Sequence, residues 1–548
     1  MPRLTSLYSP TLQTGRQPGS SARAKRRRHT DARVARSLWR GAWRPVIALS
    51  SVLLLTGCGT RLSDSAFSQF AVNPSATSAP NGVQTLPSTG VTQPTTGPST
   101  GLPTGIPTSG GPGPVTSGGP TTGPNPTTSG QPTSGGQANF ASDTGVTANS
   151  ITVCNVVTQG GPFGPYQFTP NYYGAAAYFA TLNAAGGING RQVIFKSHPD
   201  DGSDSGDLAQ VHTCIDTDKA FSFVANNIYE YAGAPYVYEK GVPDIGSQPI
   251  STYYYKYPNL FSIDGLNQPH NGKTLGLNGY AYRWNEEATF FKQREHITHA
   301  GIVFYDQASS RYGANELVQD FEHAGVKVSQ YQVNLGLPNF ASAVAQMKAD
   351  GVDLVADAVD LNGTQKLCQA VEQNTPFLNQ MKVHLSTISD WAQSLGSDLA
   401  GTPGCLAKSW SDGYTINFDD PSNPEVAKFQ AAMKKYFPSD LAHNHEWAFE
   451  GWVGAEWFTE AAQSCGADLT RKCVMSYMNN KPDFGGDGVT VPYVSFRPLA
   501  PSFYDKPTRH CVSAAQWSIP ENKWVTRANP ATTCFMVKGY RFQLTDPT

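Results

Sequence analysis

Short apolar segments alternate with amphipathic segments from residue 150 onward. In the first series the pattern predicts strands at Ser150–Val157, Gln192–Ser197, Ser222–Ala225 and Pro243–Gly246, and helices at Tyr172–Ala185, Leu208–Ala220 and Ala234–Lys240. A second series predicts helices at Ala281–Gln293, Ala314–Ala324, Phe340–Asp350 and Thr364–Gln373, and strands at His299–Tyr305, Lys327–Val333, Leu354–Ala358 and Lys382–Ser386. Strands that alternate with helices indicate parallel α/β sheets. Two such series predict two doubly wound lobes, whose ligands bind in the loops after the strands.

The N-terminal segment differs from the rest of the chain in charge. Residues 1–57 carry eleven Lys and Arg and one Asp, so the remainder is acidic although the net charge of the whole chain is -2. The apolar run Val46–Leu55 is too short for a membrane-spanning helix, which needs about 20 residues, and its basic flank is typical of an export signal. It ends at Leu55-Thr56-Gly57-Cys58, which resembles the lipobox of bacterial lipoproteins. This resemblance implies a signal peptide over residues 1–57 and a lipid on Cys58; an ordinary signal peptide with an incidental cysteine is the alternative.

A low-complexity region follows, over residues 58–142. It has no charged residue between Ser65 and Ser142, and Gly, Pro, Ser and Thr dominate residues 91–138. Such a segment buries too little apolar surface to offset the entropy of folding, so we predict a disordered tether. A coil of about 80 residues has a root-mean-square span of about 50 Å. The tether is interpreted as a spacer between anchor and domain, with a neutral insertion as the alternative.

Eight cysteines follow Cys58, and an even number in an exported protein favours disulfides. Proximity along the chain favours Cys465–Cys473 and Cys511–Cys534, while Cys154–Cys214 and Cys368–Cys405 would complete a sequential set; other pairings stay open. The chain has no CxxC spacing, which zinc sites commonly use. We therefore predict no metal site and no cofactor.

Several segments of the chain resemble a known family. They are the loop Gln159-Gly-Gly-Pro-Phe-Gly-Pro165, the segment Asn183-Ala-Ala-Gly-Gly-Ile-Asn-Gly-Arg191, the strand Gly301-Ile-Val-Phe-Tyr-Asp306 and the helix segment Glu450-Gly-Trp452. In this order they resemble type I periplasmic binding proteins, in particular the branched-chain amino acid and amide binding proteins of ABC importers. The resemblance covers about residues 143–548. It implies two Rossmann-like lobes joined by a three-crossing hinge, with lobe one at 143–268 plus 415–495 and lobe two at 269–414 plus 496–548.

The same resemblance implies which residues contact a ligand. They are Gln159, Gly160, Asn227, Tyr229, Ser247 and Gln248 in lobe one, and Tyr312, Asp360 and Asp390 in lobe two. Amino-acid binders of this family carry a Ser/Thr run after the third strand, whereas this chain has Asn226-Asn-Ile-Tyr-Glu230. The departure disfavours an α-amino acid, and the neighbouring aromatic residues favour a flatter or more apolar solute.

These features predict an extracytoplasmic solute-binding lipoprotein on the bacterial cell membrane. Its partners would be a small-molecule solute, ABC permease subunits and, through the anchor, the membrane. The acidic remainder argues against nucleic-acid binding, which depends on Lys and Arg. An anchored sensor of the same fold without a transporter is the alternative. A hydrolase has no support, because the chain has no Gly-x-Ser-x-Gly elbow and His443-Asn-His-Glu446 lacks the His-Glu-x-x-His spacing.

Overall fold

The computed structural model describes residues 138–164, 166–265, 271–386, 392–439, 444–485, 488–491 and 494–544. The predicted signal peptide, Cys58 and most of the predicted tether lie outside these residues. The last residues of the predicted tether are hydrogen-bonded to the folded region: Asn139 Nδ2 donates to Asn189 O at 2.8 Å and Ser142 Oγ donates to Leu469 O at 2.6 Å. No helix among the described residues combines the length and the apolarity needed to cross a membrane.

Two sheets form the centres of the two lobes. The first contains five parallel strands in the order β2-β1-β3-β4-β5: β1 Ser150–Thr158, β2 Gln192–Asp200, β3 Ser222–Val224, β4 Asp244–Ser247 and β5 Leu260–Ser262. The second sheet has the order β14-β13-β11-β10-β9-β7-β8. Its parallel strands are β7 His299–Tyr305, β8 Lys327–Val333, β9 Leu354–Ala358, β10 Val383–Ser386 and β11 Ser409–Gly413. Two antiparallel strands, β13 Ser513–Ser518 and β14 Lys523–Ala528, extend it at one edge. Two antiparallel ribbons pair β6 Tyr280–Arg283 with β16 Tyr540–Gln543, and β12 Thr508–Cys511 with β15 Cys534–Val537.

Helices connect the strands and cover the sheets. In chain order they are α1 Pro170–Ala184, α2 Asp204–His212, α3 Ala234–Glu239, α4 Glu286–Arg294, α5 Ala308–His323, α6 Phe340–Asp350, α7 Leu361–Gln373, α8 Thr375–Gln380, α9 Leu395–Asp398, α10 Pro403–Leu406, α11 Pro424–Tyr436, α12 Glu446–Cys465, α13 Arg471–Asn480 and α14 Pro501–Tyr504. The chain passes between the lobes after β5, after β11 and after α13. The predicted α/β fold with parallel sheets is confirmed.

Three predicted helices begin well away from the predicted residue, including α5, which begins at Ala308 instead of Ala314. The helix predicted at Ala281–Gln293 begins only at Glu286, because Tyr280–Arg283 pair as β6 with a strand near the C-terminus that no local pattern reveals. The helix predicted at Leu208–Ala220 begins earlier, because Ser203 Oγ accepts a hydrogen bond from Gly206 N at 3.1 Å and caps α2. The C-terminal strands were not predicted.

The glycine-rich segment between α1 and β2 folds around the buried side chain of Arg191. The Arg191 side chain is fully buried, and its guanidinium donates to four carbonyl oxygens, those of Phe140, Thr147, Gly466 and Ala467, at 2.9 to 3.2 Å. Gly187 has φ 76°, and a Cβ there would lie 2.1 Å from Arg191 O. The segment therefore folds tightly around a side chain that fastens the end of α12 to lobe one.

Helix α12 packs unusually close to α1. A Cβ on Gly174 would lie 1.6 Å from Ala448 O, and a Cβ on Gly451 would lie 2.1 Å from Asn171 O. Since no side chain fits between these backbones, the two glycines let the helices touch directly. This contact fixes the first turns of α12, which place Glu446 against Gly413 of lobe two, and Trp447 and Glu450 against Phe168 and Gln248 of lobe one.

The structure joins the eight described cysteines in sequential order, as Cys154–Cys214, Cys368–Cys405, Cys465–Cys473 and Cys511–Cys534. Two of these pairs lie beside a histidine, His198 and His384, and among the described residues they are the groups close enough to hold a metal ion. Because their cysteines form disulfides, they offer no thiolate to a metal.

Candidate ligand-binding site

The loop after β1 is held against the ends of the neighbouring strands. Thr158 Oγ1 donates to Asp200 Oδ2 at 3.1 Å and accepts from Tyr229 N at 3.0 Å, so it links the ends of β1, β2 and the loop after β3. Burial raises the pKa of Asp200. Gly160 and Gly161 follow with φ 151° and 58°, which favour glycine. A Cβ on Gly161 would lie 2.7 Å from Asp201 O, so the glycines bring this loop onto the loop after β2.

The loop after β3 is built around two asparagines. Asn226 Oδ1 accepts from Val156 N at 2.8 Å, and Asn227 Nδ2 donates to Asn171 Oδ1 at 2.8 Å. The loop is bracketed by two buried non-glycine residues in the left-handed region, Ala225 at φ 56° and Tyr231 at φ 46°. Strain of this kind persists only where the surroundings fix the backbone, and it often marks functional loops.

An aromatic cluster lies where these loops meet α12. The Tyr229 ring is 4.3 Å from the Phe163 ring and 5.8 Å from the Phe168 ring, and Phe168 stacks on Trp447 at 6.0 Å between centroids. All four side chains are buried. Burial raises the pKa of Tyr229, with a smaller contribution from Glu230, so the phenol is neutral. The cluster gives lobe one an apolar, aromatic surface at the place where lobe two meets it, which we call the junction.

Lobe two meets this surface through the first turns of two helices. Ser309 Oγ, in the first turn of α5, donates to Tyr229 O at 2.9 Å, and Leu361 N, at the start of α7, donates to Gln167 Oε1 at 3.1 Å. Asp360 caps α7 and accepts from Tyr305 Oη at 2.6 Å. The lobes are therefore in contact at the carboxyl ends of their strands. Helix N-termini carry partial positive charge and favour an anionic group.

The structure brings some predicted ligand residues to this junction and places others elsewhere. Gln159, Gly160, Tyr229 and Asp360 lie in loops at the junction, and Asn227 lies beneath the loop after β3. Ser247 Oγ instead donates to Asp244 Oδ1 at 2.5 Å, and Gln248 Nε2 donates to Glu450. Tyr312 Oη donates to Glu316 Oε1 at 2.5 Å. Asp390 lies outside the described residues.

Four junction residues were not predicted from the sequence: Phe168, Trp447, Gln167 and Ser309. Phe168 and Gln167 lie just beyond the glycine-rich loop that carries the resemblance, so that loop was the signal for them. Trp447 is far away in sequence and reaches the site only because α12 packs on α1. Ser309 lies beyond the end of a predicted strand, but nothing local distinguishes it from an ordinary helix-capping serine.

Four carboxyl groups meet beside the chain segments that join the lobes. They belong to Glu287 of α4, Asp412 of β11, and Glu446 and Glu450 of α12. Burial raises the pKa of Asp412 to about 7 and of Glu450 to about 8, and it raises those of Glu287 and Glu446 well above the ordinary value of a glutamate. Arg283 is the cation that faces this group, and it is bonded to Glu316 Oε1 at 2.7 Å. Burial therefore favours the uncharged form of each of these acids in the folded protein.

Sequence comparison assigns the family. The profile of a family described as "Periplasmic binding protein" matches residues 150–523. The chain belongs to this periplasmic binding protein family, which confirms the resemblance and implies an extracytoplasmic location. No curated protein sequence matches the chain.

Solved structures share the fold at low sequence identity. A fatty acid ABC transporter substrate-binding protein from Thermomonospora curvata has a TM-score of 0.53 at 13% identity, covering 76% of this chain and 98% of its own. An R. palustris ABC transporter solute-binding protein in complex with 4-hydroxybenzoate has a TM-score of 0.51 at 14% identity, covering 71% and 98%. A possible leucine/isoleucine/valine-binding protein from Rhodopirellula baltica SH 1 has a TM-score of 0.53 at 13% identity, covering 69% and 96%.

Proposed function

We propose that the protein captures a small carboxylate with an apolar body between its lobes and delivers it to an ABC permease. The observation that carries this proposal is the junction itself: an aromatic surface on lobe one faces the first turns of α5 and α7 on lobe two. The rings suit an apolar body, and the N-terminus of α5, whose N-cap residue makes no side-chain capping hydrogen bond, suits a carboxylate. Fatty acid and 4-hydroxybenzoate, named for two of the structural relatives, have this chemistry.

Capture requires the lobes to open and close. A ligand that binds the closed arrangement better than the open one shifts the population toward closure, and catalysis is not required. At the junction, the hydrogen bonds that Ser309 and Leu361 donate to lobe one are each worth about 1 kcal/mol. They stabilise the closed arrangement without preventing it from opening.

We expect 4-hydroxybenzoate or octanoate to raise the melting temperature of the protein more than leucine does. At a ligand concentration of about 100 times Kd, binding stabilises a protein by about 2.7 kcal/mol. Replacing Tyr229 with Leu removes one ring of the cluster and should weaken binding about tenfold, since aromatic contacts contribute about 0.5–1.5 kcal/mol beyond their burial. Differential scanning fluorimetry and titration calorimetry measure both effects.

The matched control is Tyr238→Leu, because Tyr238 is a lobe-one tyrosine that is 38% exposed and stacks on Tyr257 instead of on the rings of the junction cluster. Tyr238→Leu should bind the solutes with the same affinity as the unmodified protein. The proposal fails if neither 4-hydroxybenzoate nor octanoate raises the melting temperature more than leucine does, or if Tyr229→Leu binds as tightly as the control.

The proposed membrane anchor has its own test. Cys58→Ala should move the protein from the membrane fraction to the soluble fraction of expressing bacteria, and should abolish incorporation of an alkyne-labelled fatty acid, because the lipid needs the cysteine sulfur. Ser65→Ala, a nearby change that leaves the cysteine in place, should alter neither. Membrane association that persists in Cys58→Ala would disprove the anchor.

A further inference from the structure

A second concave site lies away from the junction. It is a cavity of about 680 Å³, within the range of small-molecule sites. Its walls come from all three segments that join the lobes, from the β6–α4 corner, and from the chain around β12. The junction residues Gln159, Gly160, Tyr229 and Asp360 do not line it.

One wall of this hinge cavity is aromatic. The Trp284 ring lies 4.2 Å from His510 and 4.9 Å from Tyr504, and Tyr282 stacks on Tyr504 at 4.3 Å. Tyr282, Trp284 and His510 line the cavity. Trp284 Nε1 is shielded from solvent and has no hydrogen-bond partner among the described residues. Such rings present faces that attract cations.

The same cavity is rich in carboxyl groups. Asp264, Glu286, Glu287 and Asp320 line it. Burial raises the pKa of Asp264 to about 6 and those of Glu286 and Asp320 to about 7. Glu286 Oε2 is shielded from solvent without a hydrogen-bond partner among the described residues.

The cations near these acids are fewer than the acids. Arg283 lines the cavity, and its charge partly offsets the effect of burial on the pKa of all four, but it is shared with Glu316 Oε1 at 2.7 Å and Tyr255 Oη at 2.8 Å, which do not line the cavity. His510 Nδ1 lies 3.8 Å from Glu286 Oε1, but burial lowers the pKa of His510 to about 4, so the ring is neutral at pH 7. Arg497 and Arg509 also line the cavity, but both side chains are exposed at its rim. The interior of the cavity therefore has an excess of acid over cation.

We propose that the hinge cavity binds a small organic ammonium ion with an apolar body. The ammonium would lie against the Trp284 and Tyr282 rings and pair with Glu286, and the apolar body would contact Val491, Val494 and Phe503, which also line the cavity. This site is separate from the junction proposed for the transported solute, so either proposal can fail without the other.

The probe is 2-phenylethylammonium, with 2-phenylethanol as its neutral isostere. Titration calorimetry at pH 7 should show binding of the ammonium and at least tenfold weaker binding of the alcohol. The bound cation favours the carboxylate form of Glu286, so binding should release protons, and the measured heat should depend on the ionisation enthalpy of the buffer. Glu286→Gln should weaken ammonium binding at least tenfold and reduce the proton release.

Glu295→Gln is the control, since Glu295 follows the last turn of the same helix and does not line the cavity. Gln has the shape of the protonated acid, so Glu286→Gln should fold, which its unliganded melting curve verifies. The proposal is overturned if the ammonium does not bind, if the alcohol binds as well, or if Glu286→Gln binds like Glu295→Gln. Trp284→Leu provides a second variant, and unchanged affinity in it would also overturn the proposal.

Discussion

Replacing Glu446 with Gln is expected to stabilise the protein at pH 8 and to change little at pH 4. Glu446 is 3% exposed, and burial, together with Glu450, Asp412 and Glu287, raises its pKa well above the ordinary value. A Cβ on Gly413 would lie 1.8 Å from Glu446 Oε1, so the carboxyl group occupies space that only a glycine leaves free. The folded protein therefore holds the neutral acid, whereas the unfolded chain ionises near pH 4.5.

The sign of the pH dependence follows from this difference. Above the unfolded pKa the unfolded chain loses a proton that the folded protein keeps, so stability falls as pH rises toward the folded pKa. Each pH unit costs about 1.4 kcal/mol for each proton that only the folded state retains. Between pH 5 and pH 7 a single site of this kind loses about 2–3 kcal/mol, and Glu287, Asp412 and Glu450 act in the same direction.

Gln cannot ionise, so Glu446→Gln removes one such site. The difference in melting temperature between the variant and the unmodified protein should grow steadily from pH 5 to pH 8. Glu239→Gln is the control, because the Glu239 side chain is 67% exposed, and its difference should stay flat. Parallel melting curves for Glu446→Gln and the unmodified protein across this range would contradict the assignment of a neutral buried acid.

The sheet architecture was accessible to sequence reasoning because its signals are local. Burial of β7 is continuous over His299–Tyr305, and the apolar run that predicts this strand has the same bounds. The antiparallel ribbon of β6 was not accessible, since its partner β16 lies near the C-terminus. Local alternation of strands and helices thus specifies the two parallel sheets, whereas long-range pairing decides the extra ribbons.

In the candidate site, too, some residues could be predicted from local sequence and others depend on long-range packing. The glycine-rich loop after β1 located one side of the junction, because its sequence carries the family resemblance, and the structure places Gly160 and Gly161 at positive φ. Ser247 and Gln248 follow a strand as a ligand residue would, but Asp244 and Glu450 occupy their polar groups. Gln248 and Glu450 are 202 positions apart. Only the packing of α12 brings them together, so the sequence could not show that Gln248 is engaged.

Glu287 connects the buried acids to the hinge cavity. It lines the cavity, and it contributes to the raised pKa of Glu446. Because this carboxyl group belongs to both sets, an ammonium bound in the cavity should also oppose the loss of stability at high pH. Ligand binding in the hinge cavity and the ionisation of the buried acids should therefore affect each other.

Removal of the Cys154–Cys214 disulfide is expected to have the second large effect. Both cysteines are fully buried, and the bond ties β1 to the turn after α2 across a sequence separation of 60 residues. In the chain-entropy description, a cross-link of this span stabilises the folded state by about 4 kcal/mol, by restricting the unfolded chain. The double variant Cys154→Ala/Cys214→Ala keeps the site apolar and should lose about this much free energy of unfolding.

The Cys465–Cys473 disulfide provides a graded comparison within the same lobe. Its cysteines are separated by only 8 residues, so the same description gives about 2–3 kcal/mol for Cys465→Ala/Cys473→Ala. Guanidinium denaturation followed by tryptophan fluorescence measures both losses under identical conditions. If the short-span variant lost as much stability as the long-span variant, restriction of the unfolded chain would not be the source of the stabilisation. Peptide mapping of the unreduced protein tests the connectivity itself, because a fragment that linked Cys154 to any cysteine other than Cys214 would remove the basis of the comparison.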